Sequence, residues 1–66
     1  MENYIIKVKA FREENTKEIK LINTTYEEAT KLWMREMYNQ SKETKTKYIE
    51  MLDNKDIIIH KFTFKN

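Results

Sequence analysis

The sequence predicts an α+β domain in the order β-β-α-β-β, a small antiparallel sheet with one amphipathic helix packed on one face. Three observations predict it. Apolar residues alternate with polar ones near both ends of the chain. A helix-start signal stands at Thr24–Glu28 and is followed by apolar residues three and four apart. Sixty-six residues, finally, make a single domain, 1–66, with room for two layers around one core.

Tyr4-Ile5-Ile6-Lys7-Val8-Lys9-Ala10-Phe11 opens the alternation. Tyr4, Ile6, Val8 and Ala10 share one face; Ile5, Lys7, Lys9 and Phe11 share the other. Arg12 to Lys17 is a polar break with Asn15 placed for a turn, and Glu18-Ile19-Lys20-Leu21-Ile22 resumes the period of two, completing a hairpin. Thr24-Thr25-Tyr26-Glu27-Glu28 then holds two overlapping capping boxes, Thr24 with Glu27 or Thr25 with Glu28. Both glutamates suit the positive end of a helix dipole. Tyr26, Ala29, Trp33, Met37 and Gln40 form the apolar stripe, flanked by Leu32 and Met34, while Glu28, Lys31, Arg35, Asn39 and Lys42 line the opposite side. Trp33, the single tryptophan, is the expected anchor on the sheet. The polar run Asn39–Lys47 ends the helix. Lys47–Leu52, a turn at Asp53-Asn54-Lys55-Asp56 and Ile57–Phe64 read as a second hairpin, with Asn54 the residue expected to take the left-handed conformation. Tyr48, Met51 and Leu52 also suit helical spacing, so residues 39–52 have a rival helical reading.

A chain this short buries only about 60% of the surface its unfolded form exposes, and small domains compensate with disulfides, a metal or a second subunit. The sequence has no cysteine and one histidine, His60, so disulfides and thiolate metal sites are excluded and no metal or other cofactor is expected. Self-association, as a homodimer, or another protein partner is the supplement left open. There is no glycine and no proline, which excludes Gly-rich phosphate loops and nucleophile elbows. No apolar run long enough to span a membrane occurs, and Met1-Glu2-Asn3 leads directly into the first alternating segment without a signal-peptide layout. A cytoplasmic location and no membrane partner are the resulting expectations.

Candidate chemistry is sparse. Ser41 lies among polar residues where the helix ends; Asp53 and Asp56 flank a turn; Glu13-Glu14 and Glu27-Glu28 belong to a loop and a cap. No catalytic group is assigned, and a non-enzymatic role is expected. One helix on a sheet also leaves little depth for a pocket of the ~300 Å³ that a small ligand needs. His60 has two readings: an inconsequential half-exposed strand residue, or a polar handle in an aromatic binding surface beside Phe62 and Phe64.

What stands out is apolarity on both faces of the outer strands. In the last strand Ile57 and Ile59 are expected on one face and Ile58, Phe62 and Phe64 on the other; in the first, Ile5 and Phe11 oppose the Tyr4, Ile6 and Val8 face. One helix covers one face only, so large apolar groups remain uncovered, at ~1.5–3 kcal/mol of forgone burial each. Surplus apolar surface of this kind marks interfaces; the plainer alternative is that chain ends or sheet twist cover it. Ile5, Phe11, Ile58, His60, Phe62 and Phe64, with Lys31 and Arg35 on the outer helix face, are therefore the candidate partner-binding residues. A protein is the leading partner. Nucleic acid is the alternative, with Tyr4, Phe11, Phe62 and Phe64 stacking bases and Lys7, Lys9, Lys20, Lys47, Lys61 and Lys65 holding phosphates. A net charge of +2 is small for that role. In size, composition and lack of catalytic groups the chain resembles many accessory proteins of phages and mobile elements, which often act by binding and blocking a host enzyme; inhibition of a host (defence) protein is the role this implies. The resemblance rests on general character rather than on a motif.

Overall fold

The computed structural model describes residues 1–65. They form β1 (Glu2–Ala10), β2 (Lys17–Thr24), α1 (Tyr26–Gln40), β3 (Thr46–Leu52) and β4 (Ile58–Thr63). One four-stranded antiparallel sheet of order β2-β1-β3-β4 carries the single helix on one face. Residues 46–52 are strand, which decides between the two readings of that segment.

Pairing register explains which residues are inside. β1 sets Ile6 opposite Ile19 and Met51, and Val8 opposite Lys17 and Ile49. With Tyr4 these residues face the helix, where Ala29 and Trp33 meet them and complete the core. The helix begins as its sequence directs: Thr25, rather than Thr24, is the N-cap, and its hydroxyl accepts from the Glu28 N–H at 3.1 Å. At the far end Thr46 is fully buried, and its hydroxyl donates to Gln40 Oε1 at 2.6 Å, joining the last helical turn to the start of β3. The Tyr4 phenol is buried beside the Glu2 carboxylate, which its hydroxyl approaches at 3.4 Å. Burial first, and that carboxylate second, raise its pKa above the ordinary value. A phenol raised in this way contributes stability that is fully present below the unfolded pKa of about 10 and is lost as pH rises through the folded value. The urea midpoint of the wild type should therefore fall above about pH 10 more steeply than that of Tyr4→Phe; parallel curves would remove Tyr4 as the cause.

Turns without glycine are made by Asp and Asn, at positions the sequence only partly indicates. Asp56, not Asn54, takes positive φ in the β3–β4 turn, and neither does Asn15 in the first loop. Asp53 organises the β3–β4 turn: its carboxylate accepts from the N–H groups of Lys55 and Ile57, at 2.8 and 3.0 Å. Asn54 needs no left-handed backbone once that carboxylate has fixed the loop. The other positive φ belongs to Asn23, at an irregularity in β2 where its N–H donates to Asn3 Oδ1.

A second irregularity changes the face pattern of β4. Met51 pairs with His60, but Leu52 pairs with Ile58, so one extra residue is accommodated in β4 at this point. Ile58 therefore lies with Leu52 on the face away from the helix, whereas His60 and Phe62 lie on the helix side. Strict alternation, which groups Ile58 with Phe62 and Phe64, fails at this bulge.

Candidate functional site

Helix α1 packs over β1, β2 and β3, leaving the helix-side residues of edge strand β4 beyond its shadow. His60 bridges the gap. Its ring stacks on Trp33, with centroids 5.1 Å apart and planes 25° apart, and its Nε2 shares a 2.7 Å hydrogen bond with the Tyr26 hydroxyl. Tyr26 in turn meets Tyr4 edge-on at 6.5 Å. His60 is thus neither inconsequential nor simply a surface handle: it ties the first half of the helix to the edge strand. Farther along β4, Phe62 and Phe64 pack edge to face at 5.0 Å, and Phe64 also lies against the core.

Much of this apolar and aromatic surface remains open. Tyr26 is 48% exposed and Phe62 45%. Below them Trp33 is 9% exposed, and its indole N–H is buried without an acceptor. Tyr26 and Trp33, two turns apart on the helix, both meet His60, so the ledge has a helical wall and a strand floor. It runs beside the outer edge of β4, which pairs with no strand among the described residues.

The residues singled out from the sequence fall into four places. His60, Phe62 and Phe64 come together on the ledge. Ile5 and Ile58 share a row on the opposite sheet face, each paired with Leu52. Phe11 lies past the end of β1, held by its N–H to Lys45 O at 2.8 Å. It lines a depression of about 470 Å³ with Ala10, Arg12, Glu13, Thr44 and Lys45, more depth than one helix on a sheet is expected to leave. Lys31 and Arg35 are exposed on the helix, away from its buried stripe. Tyr26 is the ledge residue that the sequence pattern assigned to the apolar stripe. Its exposure depends on how far the helix extends across the sheet, which no helical period encodes.

Lys47 lies opposite Phe64, but four other lysines of the nucleic-acid alternative lie apart from its aromatic residues. Lys7 and Lys61 lie in a row of alternating charge on the face opposite the helix: Lys7 is 4.0 Å from Glu18 and pairs across strands with Glu50, which is 3.5 Å from Lys61. Lys9 and Lys20 share that face. Phe62 lies on the other face, and Tyr4 is in the core. No helix among the described residues is long and apolar enough to cross a membrane, and no group of three or more metal-ligating side chains occurs among them. No known protein family matches the chain, and the searches of curated proteins and of solved structures likewise gave no match.

Proposed function

We propose that this chain is a small non-enzymatic protein-binding domain, acting through the ledge between α1 and β4 and the free edge beside it. The observation that carries this reading is the pair of exposed rings, Tyr26 and Phe62, flanking His60 where it stacks on the buried Trp33. Aromatic residues are among the types enriched at interface centres, where they supply contact area at low entropic cost. An adjacent strand edge adds main-chain hydrogen bonds to a partner's extended segment. An inhibitor or adaptor needs no more than this: a rigid frame, a desolvated anchor and a directional edge. The nucleic-acid reading is weaker, because stacking rings and phosphate-binding lysines must share a face, and two of the lysines concerned are already paired with glutamates.

The test is co-expression of the chain under two different tags in a host cell, followed by capture on one tag. A protein, whether the second copy or another, should be retained by the wild type and lost with Phe62→Ser, whose circular dichroism stays native. Retention should change little between ~0.05 and ~0.2 M salt, whereas a phosphate-dependent complex would weaken by orders of magnitude. Undiminished retention by Phe62→Ser would remove the ledge from the binding surface.

A further inference from the structure

We infer that the partner covering the β4 edge is a second copy of this chain, joined by antiparallel β4–β4 pairing about a two-fold axis at Phe62. This rests on the reading of the ledge as a protein-binding surface and specifies its occupant.

The sheet's two edges differ. β2 carries Lys17, Glu18 and Lys20 and is kinked by the left-handed Asn23, devices that discourage strand addition. β4 has one charged residue, Lys61, and its only irregularity is at Ile58–His60. From His60 onward it is regular: His60, Lys61, Phe62 and Thr63 pair at constant offset with Met51, Glu50, Ile49 and Tyr48, and the Phe64 N–H continues the ladder to Lys47 O at 2.9 Å. That bond, with the alternation of antiparallel ladders, turns the peptide groups of His60, Phe62 and Phe64 towards β3 and those of Lys61 and Thr63 outward.

Two-fold symmetry then leaves few registers. Opposed residues in an antiparallel pair point to the same sheet face, and a two-fold axis perpendicular to the sheet must pass through a residue pair i–i. An axis at Lys61 would set two lysines directly opposite each other, which is destabilising. An axis at His60 would extend the pairing into the bulge at Ile58. An axis at Phe62 lies at the middle of the regular stretch 60–64. It opposes Lys61 to Thr63 of the second copy through their outward peptide groups, Phe62 to Phe62, and His60 to Phe64. The result is an aromatic row along one face of a continuous eight-stranded sheet. With strands about 4.8 Å apart, the two helices would stand about 20–24 Å apart. Helices 10–12 Å wide then leave a trough about 10 Å across, floored by the two Phe62 rings. A standard interface needs ~800 Å² from each copy, about a sixth of this chain's 5001 Å². Self-association also supplies the one supplement that a small chain without cysteine leaves open.

The experiment uses the purified full chain, whose lack of cysteine makes an introduced thiol unambiguous. Light scattering should give twice the 8.2 kDa chain mass. The outward amides of Lys61 and Thr63 should exchange slowly with deuterium, and more slowly at higher concentration. Under mild oxidation an equimolar mixture of Lys61→Cys and Thr63→Cys chains, both keeping Phe62, should form the mixed covalent dimer far faster than Lys61→Cys or Ile22→Cys alone forms its own, since opposed Cα atoms in a hydrogen-bonded pair lie about 5.5 Å apart. A dimer in which Lys61→Cys alone links fastest, or whose Lys61 and Thr63 amides exchange freely, overturns the inference. A monomer throughout the micromolar range also overturns it. In that case, Phe62-dependent capture of a different protein in the co-expression test would leave the ledge reading standing, and loss of both signals would end it.

Discussion

Trp33→Ala should unfold the domain. The indole is the largest side chain in the core, where it joins the sheet residues Tyr4, Ile6, Val8, Ile49 and Met51 to Ala29 on its own helix. Truncating a buried tryptophan or phenylalanine to alanine costs ~3–5 kcal/mol, and a single core in a chain of this size rarely supplies more than that in total. Loss of the indole also removes the platform on which His60 stacks, so the tie between helix and edge strand goes with it. The expected readout is loss of the native circular dichroism spectrum at 25 °C, together with loss of cooperative thermal unfolding. Trp33→Phe should remain folded. It keeps a ring for His60 and removes an indole N–H that is buried without an acceptor, an arrangement that itself costs ~1–3 kcal/mol. If Trp33→Ala unfolds cooperatively with a near-wild-type midpoint, the helix is held by something other than its indole.

Ile49→Ala and Ile22→Ala should give opposite results for the same chemical change. Ile49 is 0% exposed in the centre of β3, between Val8 and Phe62 across the strands, and is enclosed by the core. Its truncation should cost ~2–5 kcal/mol, since packed neighbours cannot collapse fully into the space left. Ile22 is 74% exposed and should change stability by no more than about 0.5 kcal/mol. Urea titrations at one temperature measure both. Equal effects would mean that Ile22 is covered in solution, and the interface would then have to be sought at the β2 end of the sheet.

Some of this architecture is present in the sequence alone. Alternation at Tyr4–Ala10 sets Tyr4, Ile6 and Val8 on one face because a strand's side chains reverse face at every residue, whatever its neighbours are; that this face is the core was decided by where the helix packs. The overlapping threonine–glutamate pairs fix the helix start to within one residue because capping is a local hydrogen bond, and Trp33 is an anchor because only the core can bury so large an apolar ring. The absence of cysteine and glycine settles which supplements and which phosphate-binding loops are excluded.

Other features depend on tertiary structure. The left-handed position in the last turn went to Asp56 because the Asp53 carboxylate gathered the N–H groups of Lys55 and Ile57, a choice among several residues able to make that turn. Ile58 parted from Phe62 and Phe64 because β4 has one residue more than β3 at their junction, and a bulge is a property of a pair of strands rather than of either one. Lys7, Glu18, Glu50 and Lys61, distant in the chain, became neighbours through register alone. The ledge has the same origin. Helix and strand each carry an ordinary apolar stripe, and only the placement of α1 over β1, β2 and β3 leaves Tyr26 and Phe62 facing solvent beside a free edge.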